Sequence, residues 1–132
     1  MTLTGILTTA VILSSGMTVP NSVLTCWIDI EGAYTPSIKQ IYICEWAEDF
    51  TVYHEYGHYY DYNLLSKQDR TTYDRLYWRH KRIWIEAFYR WHSYYDPRED
   101  FADNYALMMQ KQNSNPYVMK RIRLIKSILW NH

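Results

Sequence analysis

The chain has 132 residues, of which 48% are hydrophobic and 17% aromatic, with fourteen Lys/Arg and fourteen Asp/Glu. That length suits one domain spanning 1–132 and leaves no room for a second, and two cysteines are too few to frame a disulfide miniprotein. The zero formal charge hides a division: residues 1–69 hold two Lys/Arg against eight Asp/Glu, and residues 70–132 hold twelve against six. With no nucleic-acid motif beside it, this division predicts opposite halves attracting within one fold, not a nucleic-acid face.

In chain order, the apolar run over 5–13 is too short to span a bilayer. It lacks the basic start and small-x-small site of a secretion signal, so it reads as a buried helix or strand, with a degenerate signal as the alternative. The sequence leaves the location undecided, the cytoplasm favoured slightly over secretion. Alternation of β-branched residues predicts strands over 23–30 and 38–44, separated by Gly32-Ala33-Tyr34-Thr35 and a proline turn at Pro36. Cys26 and Cys44 fall on these strands. Two buried thiols is the preferred reading, and a bridge across a hairpin is the alternative.

Helical spacing then takes over. A helix is predicted over 50–65 with Asp49 as its cap, and a second over 70–91. Asp96-Pro97 restarts the chain as cap and first helical residue of a third helix, to about residue 111. A last amphipathic helix over 117–130 places Val118, Ile122, Ile125 and Leu129 on one side and the basic residues on the other. Strands first and helices afterwards make the class α+β, with a small N-terminal sheet and a helical C-terminal part.

The chemistry is concentrated in His54-Glu55-Tyr56-Gly57-His58, an HExxH motif. On a helix, positions i and i+4 stack on one face, so two imidazoles can grip one ion, and the glutamate beside the first can take a proton from a water on that ion. Two core histidines one turn apart is the bland alternative. Zinc needs a third protein ligand, for which His80, His92, Glu86, Glu99, Asp100 and Asp103 are available. Tyr59-Tyr60-Asp61 follows the motif without the glycine turn and third histidine of a metzincin, so a carboxylate from a later helix is the better source. Glu99 and Asp103, four apart, share a helix face: one can bind the ion while the other accepts the ring N–H of a ligating histidine. Ala102 is small enough for this helix to pack closely on the HExxH helix. Asp61, on the HExxH face, is a further candidate acceptor for a histidine ring.

HEYGHYYD (54–61) with EDFADNYA (99–106) resembles the gluzincins, the group of thermolysin, the anthrax lethal factor catalytic domain and the Pro-Pro endopeptidases. The resemblance implies a zincin-like fold with an HExxH active-site helix. It implies Zn2+ held by His54, His58 and Glu99, Glu55 as general base and Asp103 behind a ligating histidine; Asp100 becomes the ligand only in a shifted alignment. It also makes Gly32, Ala33 and Tyr34 an edge strand on which a peptide substrate pairs. Where lethal factor and its relatives have a catalytic tyrosine, this chain has His92; Tyr94 and Tyr95 stand nearby, and any of the three could stabilise an oxyanion. Glu99-x-x-Ala102-Asp103 also resembles the glutamate helix of ImmA/IrrE-type regulatory peptidases.

The expected activity is a zinc-dependent endopeptidase, acting as a monomer on a peptide or protein substrate, with no nucleic-acid or membrane partner. The alternatives are an ImmA/IrrE-like regulatory protease and a zinc-stabilised binding module without turnover.

Overall fold

Ile41 and Ile43 are buried while Gln40 and Tyr42 between them are half-buried, the alternation of a strand that is covered more heavily on one face. This strand is the middle of a sheet. The computed structural model describes residues 10–12, 18–20, 22–24, 32–87, 96–111 and 115–130. Its strands are β1 (Ala10–Ile12), β2 (Thr18–Pro20), β3 (Ser22–Leu24), β4 (Gly32–Thr35) and β5 (Gln40–Ile43). β1 and β2 form an antiparallel ribbon. β5 lies between β3, which runs parallel to it, and β4, which runs antiparallel. β4 is therefore an edge, and its outer side pairs with no strand among the described residues. Gly32 stands opposite Ile43 and Tyr34 opposite Ile41, so both share the face of the buried isoleucines.

Among the described residues four helices follow: α1 (Asp49–Asn63), α2 (Lys67–Ala87), α3 (Pro97–Gln110) and α4 (Pro116–Trp130). The class is α+β, as the order of elements predicts. Helix starts differ from the sequence reading by one residue in α4 and, for identifiable reasons, in α1 and α2. Asp49 is the first residue of α1, not its cap; Glu48 takes the cap position without a side-chain bond, and Asp49 sets its charge at the positive end of the helix. α2 begins before Arg70, because Ser66 and Asp69 form a reciprocal capping box: Asp69 N donates to Ser66 Oγ at 3.0 Å and Ser66 N to Asp69 Oδ2 at 3.1 Å. α3 starts as expected, with Asp96 accepting from Arg98 N at 2.8 Å and Pro97 in the first turn. The strand expected from residue 38 begins at Gln40, since Pro36–Lys39 is a turn closed by Lys39 N on Pro36 O at 3.3 Å.

α1 runs beneath β4 and β5 and packs on α3 along its other side. That double covering explains why it buries Val52, Tyr53 and Tyr56 together with Glu55 and Asp61, instead of a single apolar stripe. The α1–α3 crossing is unusually close. A Cβ added to Gly57 would lie 2.8 Å from Ala102 Cα and 3.2 Å from Ala102 O, so a glycine faces an alanine where the two backbones meet. α4 packs on α2 and α3 through Val118, Ile122, Ile125 and Ile128. Its basic residues are not all solvated: Lys120, Arg123 and Lys126 are exposed, but Arg121 is fully buried.

Cys44 is buried and disulfide-bonded, not the free thiol preferred from sequence; Cys26 lies outside the described residues. Among the described residues no helix is long and apolar enough to cross a membrane.

Candidate metal centre

The HExxH spacing works as helical geometry predicts. His54 and His58 stand one turn apart on α1, with ring centroids 4.7 Å apart, and their Nε2 atoms approach to 3.1 Å. Glu99 reaches them from the first turn of α3. Its Oε2 lies 2.9 Å from His54 Nε2 and 3.1 Å from His58 Nε2. Among the described residues this is the one group of three His, Cys, Asp or Glu able to hold a metal ion. The small residues at the α1–α3 crossing make it possible: Ala102 lies three residues after Glu99, and its contact with Gly57 brings the α3 backbone against the motif.

The donor set fits zinc. Tetrahedral coordination at ordinary Zn–N and Zn–O lengths separates ligand atoms by about 3.3 Å, close to the three distances observed. His54 Nδ1 is 2.7 Å from Asp103 Oδ1. With the ring proton on Nδ1, Asp103 accepts it, and the lone pair of Nε2 faces the other two donors. Two imidazole nitrogens and a carboxylate oxygen then point at one spot, each able to give a lone pair there.

Charge supports the same fit. Burial works against a protonated His54, but hydrogen bonds with Asp103 and Glu99 and the charges of Asp103 and Glu55 outweigh it and raise the ring to about 10. Burial opposes ionisation of Glu99, yet the bonds to His54 and His58 hold its carboxyl well below the usual carboxylate range. Glu55, Glu99 and Asp103 converge on two imidazoles, so the site favours added positive charge, as a divalent cation supplies.

Glu55 is buried, and no hydrogen bond or ion pair to it occurs among the described residues. Burial raises its carboxyl against the opposing charges of His54 and His58. It lies directly under the edge strand: a Cβ added to Gly32 would sit 3.1 Å from Glu55 Cγ and 3.2 Å from Thr51 Cγ2. Two residues along β4, Tyr34 accepts from Asn63 Nδ2 at 2.6 Å and packs edge-on against Tyr59. β4 therefore runs in the same direction as α1, with Ala33 between these contacts on its opposite face.

Two expected neighbours lie elsewhere. Asp61 is not an acceptor for a histidine ring. Its carboxylate is taken by Arg70 and, at 3.2 Å, by Arg98, leaving buried His58 Nδ1 without a hydrogen-bond partner among the described residues. Asp100 faces away from the histidines, accepting from Arg121 Nε at 2.8 Å and Tyr73 OH at 2.6 Å. His92, Tyr94 and Tyr95 lie outside the described residues. Gly57 was not singled out from sequence; a glycine inside the motif, four residues before Asp61, was the available sign of a close crossing.

No family model matches the chain, and no curated protein or solved structure matches it. The functional reading rests on the site.

Proposed function

We propose that this chain is a zinc-dependent endopeptidase of zincin-like architecture. The observation that carries the reading is the convergence of His54 Nε2, His58 Nε2 and Glu99 Oε2 within about 3 Å of one another, beside a buried Glu55 and beneath the edge strand β4. His54, His58 and Glu99 would hold the ion, and Asp103 fixes the tautomer and orientation of His54. Bound zinc supplies a Lewis acid that acidifies water and polarises a carbonyl.

Glu55 then acts as the base. Burial has already raised its carboxyl, so it can accept the proton of an attacking water and pass it to the leaving amine. A peptide pairing antiparallel with β4 would enter at the Thr35 end and run toward Gly32. Its amino-terminal half would cross Tyr34 and Tyr59, and its backbone would reach Glu55 where Gly32 leaves room. A binding module that never turns over has no use for a buried carboxylate set beside the two histidines with no hydrogen bond or ion pair among the described residues, which favours the enzyme.

The test is metal content by elemental mass spectrometry, followed by cleavage of a peptide library. One zinc per chain is expected in the wild type and in Glu55→Gln, and none in Glu99→Ala. Glu55→Gln is expected to lose about 10²–10⁴-fold in rate. A wild type that takes up no zinc when it is supplied defeats the proposal, as does a Glu55→Gln variant that cleaves at the wild-type rate.

A further inference from the structure

Glu99 lies in the first turn of α3, where a helix has the fewest intrahelical bonds to hold it, and its side chain is 34% exposed. A metal ligand there needs support from outside its own turn. Both of its sequence neighbours provide it. Arg98 Nη1 donates to Asp61 Oδ2 on α1 at 3.2 Å, and Asp61 is also paired with Arg70 of α2. Asp100 Oδ2 accepts from Tyr73 of α2 at 2.6 Å and from Arg121 of α4 at 2.8 Å. The side chains of Asp100 and Arg121 are fully buried.

The second tether has a geometric consequence. Asp100 projects about 100° around α3 from Glu99, whereas Asp103 projects only about 40° from it. Holding Asp100 against α2 and α4 therefore fixes the rotation of α3 about its own axis. That rotation decides whether Glu99 and Asp103 face the histidines together. Packing alone does not need a charged pair here, because an apolar pair of similar size commonly stabilises as well or better. What the pair adds is direction: Arg121 Nε and Tyr73 OH aim at the same oxygen from two different helices.

We propose that Arg121, acting through Asp100, is a positioning residue that holds the first turn of α3 in the rotation that presents Glu99 to the metal. The proposal rests on the metal reading of the site.

The test uses the full chain, stripped with a chelator and titrated with Zn2+ against a chromophoric competitor. Co2+ absorption reports coordination geometry, and the melting temperature of the metal-free protein is followed in parallel. The variants are Arg121→Lys, which keeps the charge but not the Nε donor, and the triple variant Tyr73→Phe/Asp100→Leu/Arg121→Met, which replaces the pair and the hydroxyl bonded to it with apolar packing. The triple variant is expected to melt close to the wild type when metal-free, yet to bind Zn2+ about 10–100-fold more weakly with an altered Co2+ spectrum. Arg121→Lys is expected to stay folded and lose affinity several-fold. Wild-type zinc affinity and Co2+ spectrum in either folded variant overturn the proposal and leave the pair a purely structural one. A wild-type chain that binds no Zn2+ overturns the metal reading and this proposal together, and is told apart because it needs no variant.

Discussion

Five carboxylates gather on α1 and α3, within two turns of one another along each helix, and they divide by the cation that meets them. Asp61 and Asp100 meet guanidinium groups, from Arg70 and Arg98 in one case and Arg121 in the other. Glu99 and Asp103 meet imidazoles, and Glu55 lies between. Arginine keeps its charge at any working pH and satisfies an acid permanently. Histidine can surrender its proton and offer a lone pair instead. The first pair is thus closed to other ligands, and the second group can exchange a proton for a metal ion. Neighbouring positions 99 and 100 fall on opposite sides of this division because a helix turns them apart.

The division can be attacked from either side. The largest expected effect is at the imidazole group. Asp103→Asn removes the charge behind His54 and should weaken zinc about 10–100-fold in a competition titration; because that charge also holds the His54 ring proton, the metal-free protein should melt lower than the wild type. Wild-type zinc affinity in Asp103→Asn would erase the distinction.

Next comes the contact between the helices that carry the two groups. Gly57→Ala gains helix propensity of about 1 kcal/mol. The new Cβ, however, meets backbone atoms of Ala102, which cannot swing aside, and overpacking of this kind costs about 1–3 kcal/mol. A lower melting temperature is expected, with weaker zinc binding as α3 is pushed off α1. A higher melting temperature would show that the crossing has room.

The smallest effect is a pH slope. Burial raises the Asp100 carboxyl from 3.8 to about 6, against the opposing pull of Arg121 and Tyr73. A carboxyl raised on folding stabilises the native state most below its unfolded pKa, and that contribution is lost as pH rises through about 6. Asp100→Asn lacks this slope, so its cost in chemical denaturation should be larger at pH 4 than at pH 7. The reverse order would mean that Arg121 outweighs burial and that Asp100 is held ionised.

What could be read from sequence was mostly what depends on short spacing. His54, Glu55 and His58 form a local pattern, and Asp96-Pro97 is a local start signal. Glu99 was within reach because zinc chemistry asks for a third ligand and a four-residue acidic pair offered one. The partners of Asp61 and Asp100 were not readable in this way. They are settled by Arg70, Arg98 and Arg121, whose approach depends on how three helices pack. Arg121 looked like one more member of a basic face. Its place three residues after Val118 and four before Ile125 put it on the apolar side, and that was the sign to weigh. The edge strand was legible only through resemblance, since an edge is a property of the whole sheet.

The side of β4 that pairs with no strand among the described residues has a second consequence. A row of unpaired backbone groups accepts any extended chain, including another copy of itself, and is a template for aggregation. Here the described strand is four residues long and runs straight into exposed Pro36, which has no N–H to extend the ladder. Lengthening this strand, for instance by replacing Pro36 with a β-branched residue, would extend a surface on which molecules of the protein stick to one another.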